Sequence, residues 1–157
     1  RMSRPKYRFA AAFGLAGLGL MAGPAVADAG PLETYLWSER PLVIFAPRDA
    51  DPAVDRQMNL LADHAAGLAD RDMAVLIVGP DSVYATFGRP APEAEARALR
   101  RHFRVPDEAF RALLVGKDGG VKLVAREPVA AEEIFDLIDG MPMRRREMRE
   151  AAGPDGE

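Results

Sequence analysis

The sequence predicts an α/β domain with a central mixed four-stranded sheet, ordered β-α-β-α-β-β-α, and helices on both faces. Three observations carry this. Residues 110–126 read as two short β-rich runs about the turn Gly116-Lys117-Asp118-Gly119-Gly120, a strong hairpin pattern. Residues 42–46 and 73–78 are continuous apolar runs of strand length, as strands buried on both faces are. Between those runs, Val54, Met58, Leu61, Ala65 and Leu68 recur at helical spacing. A strand, helix and strand joined this closely form a βαβ unit, so the two strands should run parallel.

Taken in order, the chain first shows Arg1, Arg4, Lys6 and Arg8 ahead of an apolar stretch over residues 9–22. Ala25-Val26-Ala27 then fits a small-x-small cleavage site. Together they predict an export signal over residues 1–27, with the cut after Ala27 and a periplasmic or secreted product. The stretch is too short to span a bilayer comfortably, so no stable membrane insertion is expected after cleavage. Cleavage removes four of the 21 basic residues and none of the 24 acidic ones, which moves the net charge from −3 to −7. That balance argues against nucleic-acid binding. The chain has no cysteine, which excludes disulfides, thiol nucleophiles and thiolate metal sites. The exported compartment permits disulfides, so this domain must be held by its core alone.

Residues 28–157 form the expected domain, with a core over about 31–143. Residues 31–39 predict a short helical lid, in which Leu32, Tyr35 and Leu36 share a face and Trp37 adds bulk. Residues 47–52 predict a loop, with Asp51 as helix N-cap and Pro52 at the first helical position. One helix is expected over residues 52–68. Residues 81–92, with Gly88, Pro90 and Pro92, are expected to be irregular. The next helix is expected over 93–103, with Ala96, Leu99 and Phe103 inward and Arg97, Arg100, Arg101 and Arg104 coating the other side. The last core helix follows Glu127-Pro128, with Ala131, Ile134, Phe135, Ile138 and Met141 as its stripe and Pro142 as its stop. Residues 144–151 predict one or two further turns, and 152–157 a loose tail.

The element order resembles the minimal thioredoxin-like arrangement. The chain also resembles a family of thioredoxin-like domains, domain of unknown function 4174. Bacterial exported proteins carry it, as do animal secreted proteins with sushi repeats or coiled coils. The resemblance rests on Trp37 to Arg40, the strand that follows, Gln57, Arg71-Asp72, the Gly116-Lys117-Asp118-Gly119-Gly120 turn with Lys122, and Ile138-Asp139-Gly140-Met141-Pro142-Met143-Arg144. The turn and the Met-Pro-Met-Arg segment are its most specific parts. The resemblance implies the thioredoxin-like fold and a domain of unknown function. It implies no reaction.

Thioredoxin-like oxidoreductases need a Cys-x-x-Cys after the first strand, where the helix N-terminus lowers a thiol's pKa. Here that position holds Arg48-Asp49-Ala50-Asp51-Pro52, which excludes thiol-disulfide and thiol-peroxidase chemistry. Arg48, Asp49 and Asp51 remain candidates for binding a polar group beside a helix start, against the simpler reading of a cap with solvated charges. Lys117 and Asp118 are the second candidate pair. Turn geometry accounts for Asp118, and Lys117 and Lys122 are expected as solvated charges flanking the turn. Arg144, in the Arg144-Arg145-Arg146 run, is the last candidate for an acidic surface, against a solvated helix paired Arg146 to Glu150. Met141, Met143 and Met148 offer soft ligands for copper, although Met141 also continues the core stripe. His64 and His102 lack a second ligand at metal-site spacing, so no cofactor and no metal are expected. The expected role is a protein-binding or structural module of the cell envelope, with another exported or envelope protein as partner. The alternative is a cysteine-independent enzyme or ligand-binding protein, with Asp49, Asp51 and Lys117 as its candidates.

Overall fold

The computed structural model describes residues 30–153. The expected export signal, and residues 154–157 of the expected tail, lie outside the described residues. Strand β1 (Arg40–Phe45) is central and pairs in parallel with β2 (Met73–Val78), Val43 facing Leu76. Its other neighbour is β4 (Arg111–Val115), antiparallel, with Val43 against Leu113. Strand β5 (Val121–Ala125) completes the hairpin at one edge. The other edge is β3 (Val83–Phe87), antiparallel to β2, so the sheet runs β3-β2-β1-β4-β5.

Alternation along the strands splits the core into two layers, because successive side chains leave opposite faces. Leu42, Ile44, Val75, Ile77, Ala112 and Leu114 pack under α1 (Pro52–Leu61), α2 (Ala65–Asp70) and α4 (Ala131–Asp139). Val43, Phe45, Leu76, Val78, Leu113 and Val115 face α3 (Ala96–Phe103) and a short 3-10 helix, Gly30–Tyr35. A final helix, α5 (Pro142–Ala152), follows α4. The apolar runs thus read as strands because they are covered on both faces. Among the described residues no helix is long and apolar enough to cross a membrane.

The sheet has five strands, not four. Residues 83–87 alternate half-buried Val83, Ala85 and Phe87 with exposed Tyr84 and Thr86, a one-sided edge strand. Gly88, Pro90 and Pro92 made the segment look irregular, but they only end it. The expected helix over 52–68 is two helices, broken at Ala62-Asp63-His64. Its buried stripe is Val54, Leu61 and Leu68, while Ala65 is exposed. Gln57 is also buried there, because it exchanges two hydrogen bonds with the backbone of Val129, each 2.8 Å. Pro142 does not stop a helix. It opens α5, whose 11 residues exceed the one or two turns expected. Trp37 adds no bulk to the lid, being 60% exposed. In the hairpin turn, Gly119 alone takes a positive φ, at 80°, and its N–H donates to the Gly116 carbonyl.

Candidate functional site

The two ends of the sheet differ in chemistry. At the carboxyl ends of β1 and β2 the chain leaves toward opposite layers: β1 leads to α1, and β2, through β3, leads to α3. Such a divergence opens a crevice beyond the strand ends. The loop after β1 lies there. Asp51 caps α1 by accepting from the Ala53 N–H at 2.9 Å, and Pro52 follows as the first helical residue. Arg48 is exposed and its Nε lies 3.4 Å from Asp51 Oδ2. Asp49 and Ala50 are exposed, and Ala50 takes a left-handed φ of 51°. Arg48, Asp49, Asp51, Asp55, Ser82 and Tyr84 line a cleft of about 100 Å3.

On the other side of that loop lies Arg100. The sequence placed it on the outer face of its helix, but only 4% of it is exposed. Its Nη2 donates to the carbonyls of Ala46 and Val78, at the ends of β1 and β2, and its Nη1 donates to Pro106 at 3.1 Å. The guanidinium also stands 5.5 Å from the Phe45 ring centre. Burial holds its pKa below the ordinary arginine value, with the Asp107 carboxylate acting the other way. It lines clefts of about 400 Å3 each on either side.

The opposite end of the sheet is filled by a charge network. Arg40, 1% exposed, pairs with Glu147 of α5 through both Nη atoms, at 3.2 and 3.0 Å. Lys117 is not a solvated edge charge. It is 9% exposed, with Nζ 2.7 Å from both Asp72 Oδ2 and Glu147 Oε1. Arg144 is likewise buried, not part of a solvated helix face, and pairs with Asp70 and with Asp139 at 3.3 Å. Arg71 closes the ring, making two hydrogen bonds to Asp139 at 3.0 and 2.6 Å. Burial alone would raise the Glu147 pKa, but hydrogen bonds from Arg40 and Lys117 outweigh it and hold the carboxyl below its ordinary range. Asp139 is held low in the same way by Arg71 and Arg144.

A family model described as domain of unknown function (DUF4174) matches residues 31–147. The chain belongs to this family. The matched span of the DUF4174 domain ends on Glu147, so it takes in the whole charge network. Coiled-coil domain-containing protein 80 from Danio rerio is 36% identical over 133 residues, which cover 74% of this chain and 15% of that protein. Sushi repeat-containing protein SRPX2 from Rattus norvegicus is 27% identical over 127 residues, covering 79% of this chain and 27% of that protein. The matched part of the chain therefore spans less than a third of the length of each of these relatives.

The fold divides the candidate residues of the DUF4174 domain. Arg48, Asp49 and Asp51 share the loop at the carboxyl ends of β1 and β2. Lys117 and Arg144 meet at Glu147 on the opposite end, Arg144 Nη1 at 3.8 Å from it. Asp118 turns away from them, accepting from the Gly120 N–H and pairing with Lys122 at 2.9 Å. A cleft of about 240 Å3 lies over this end, lined by Lys117, Asp118, Lys122, Met141 and Met143. Sequence reasoning missed Arg100, Glu147, Asp70 and Asp72. Each looks like an ordinary surface charge in the chain, and only its distant partner marks it out.

Proposed function

We propose that this domain is an exported, thioredoxin-like binding module without redox chemistry, which takes its partner protein at the carboxyl ends of β1 and β2. With the edge strand β3 set aside, the sheet order β2-β1-β4-β5 and its two helical layers support the thioredoxin-like reading. The carrying observation is the contrast between the ends. The β1–α1 loop stands open between clefts with exposed Arg48 and Asp49. At the hairpin end Arg40, Lys117 and Arg144 are buried and neutralised by carboxylates. Buried cations balanced by partly exposed carboxylates support a structural role there.

The test is recovery of the partner on the tagged, exported protein. Arg48→Ala combined with Asp49→Ala is expected to cut recovery by about tenfold, the effect of losing a contact worth about 1.4 kcal/mol. Lys122→Ala, on the opposite end, should leave it unchanged. Lys117→Ala is unsuitable as a surface probe because Lys117 is buried and holds Asp72 and Glu147 together. Asp51 is kept intact, since loss of an N-cap costs about 1 kcal/mol and would confuse the result. Circular dichroism must show both variants folded. Loss of the partner with Lys122→Ala, and its retention with the loop variant, would move the surface to the hairpin end and overturn this assignment.

Export supports a partner in the cell envelope or outside the cell. Protein recovered from cells should begin at Asp28 by N-terminal sequencing. A membrane-retained chain that keeps residues 9–22 would refute the cleaved leader.

A further inference from the structure

The other buried cations among the described residues follow one rule. Arg40 has Glu147 at 3.0 Å, Lys117 has Asp72 at 2.7 Å, and Arg144 has Asp139 at 3.3 Å. Arg100 breaks the rule. It is as deeply buried, yet its hydrogen bonds go to the backbone carbonyls of Ala46, Val78 and Pro106. No carboxylate lies within ion-pair distance of it among the described residues, and its bonds are made through Nη1 and Nη2 alone. A buried charge without a close ion pair is costly, and carbonyl dipoles and the more distant Asp107 carboxylate offset that cost only in part.

The surroundings add positive charge. Arg97, Arg101 and Arg104 line the adjoining cleft with Arg100. Arg97 has only a loose contact with Asp81, at 3.9 Å with both side chains exposed. Arg101 and Arg104 are exposed and make no ion pair among the described residues. Against these four arginines stand Asp107 and Asp81, so the cleft carries a local excess of two positive charges. The chain as a whole is net negative. Arginines in the last turn of α3 complement its dipole, which accounts for Arg100 and Arg101 being tolerated there. It does not account for the backbone at Arg104. That residue closes the helix at φ 55°, a left-handed position where glycine is favoured.

We infer that the Arg100 cleft binds a short acidic segment of a partner polypeptide through its carboxylates. This rests on the partner-binding reading above and names the chemistry of what binds beside the β1–α1 loop. The two clefts share Arg97, Arg100 and Asp107, and Pro47, Pro80 and Pro106 supply apolar walls for a peptide. A long polyanion such as nucleic acid would meet the protein's overall negative charge, whereas a short acidic segment meets only the local excess.

The test uses the exported chain, with hexaglutamate as probe, hexalysine as control and inorganic phosphate at matched ionic strength. Hexaglutamate should shift the Arg100 Nε–H resonance to saturation, and added salt should weaken the effect. Arg97→Glu with Arg101→Glu should weaken binding by about tenfold, with circular dichroism showing the variant folded, although the reversed charge in the last turn of α3 should lower the melting midpoint slightly. Arg104→Gly should raise the midpoint, by removing the left-handed strain, while weakening the peptide severalfold; a purely structural residue would not split the two readouts. An unshifted Arg100 resonance would overturn the inference. So would phosphate saturating that resonance while hexaglutamate adds nothing, which would leave a generic anion subsite. If Arg48→Ala with Asp49→Ala cuts partner recovery but the Arg97 and Arg101 change does not, the binding end stands and the acidic-segment assignment falls. If neither change alters recovery, the binding end itself falls.

Discussion

Phe45→Ala is expected to lower the unfolding free energy by about 3–5 kcal/mol, the range for truncating a large buried aromatic side chain. Phe45 is fully buried at the end of the central strand. Its ring packs edge-on to Phe103, centroids 6.1 Å apart, and supports the Arg100 guanidinium. The substitution therefore removes apolar burial, an aromatic pair and one face of a buried cation together. Domains of this size are stable by roughly 5–15 kcal/mol, so much of that margin would go. Urea unfolding followed by circular dichroism reads the change. Trp37→Ala, at an exposed side chain, is the control and should shift stability by less than about 0.5 kcal/mol. An unaltered midpoint for Phe45→Ala would contradict the central placement of β1.

Glu147→Ala is expected to cost about 3–5 kcal/mol, because breaking a buried ion pair from one side leaves its partner charged and buried. Arg40 would keep only the Arg71 carbonyl, at 2.9 Å, and Lys117 only Asp72. The loss is larger than for a surface ion pair, typically about 0–1 kcal/mol, because Arg40 has no solvent to turn to. Glu147→Gln should recover part of it, since an amide oxygen still accepts a hydrogen bond. The pH dependence has a definite sign. Glu147 and Asp139 are held below their ordinary values in the folded state. Their contribution is therefore fully present above the unfolded carboxyl values of about 4, and is lost as pH falls through the lower folded ones. The gap between wild type and Glu147→Ala should narrow over that acid range. A gap that stays constant down to pH 2 would show that the Glu147 charge is not what stabilises the contact.

The same residues show what a chain reveals and what it hides. The strands at 42–45 and 73–78 were legible because an apolar run of that length has few other stable uses, and the Asp51-Pro52 helix start was legible because capping chemistry is local. The edge strand β3 was not. It covers one face only, so its weak alternation is easily masked by the glycine and prolines after it. The break in the first helix was hidden because Val54, Leu61 and Leu68 keep one stripe across it.

The site residues divide the same way. The absence of cysteine alone rules out thiol chemistry, since no folding can supply a missing atom. The loop Arg48-Asp49-Ala50-Asp51 could be placed beside a helix start from local pattern. The state of each charge could not. Lys117 and Lys122 stand five positions apart in one hairpin, yet the first is buried between Asp72 and Glu147 and the second pairs with Asp118 at the surface. Arg97 and Arg100 share one helix, yet only Arg100 reaches the carbonyls that end β1 and β2. Apolar burial and capping act over a few residues and leave a periodic trace in the chain. A charge takes its character from whichever carboxylate or carbonyl the fold brings to it, here 30 to 107 residues away for Lys117 and Arg40, and only the tertiary structure decides that.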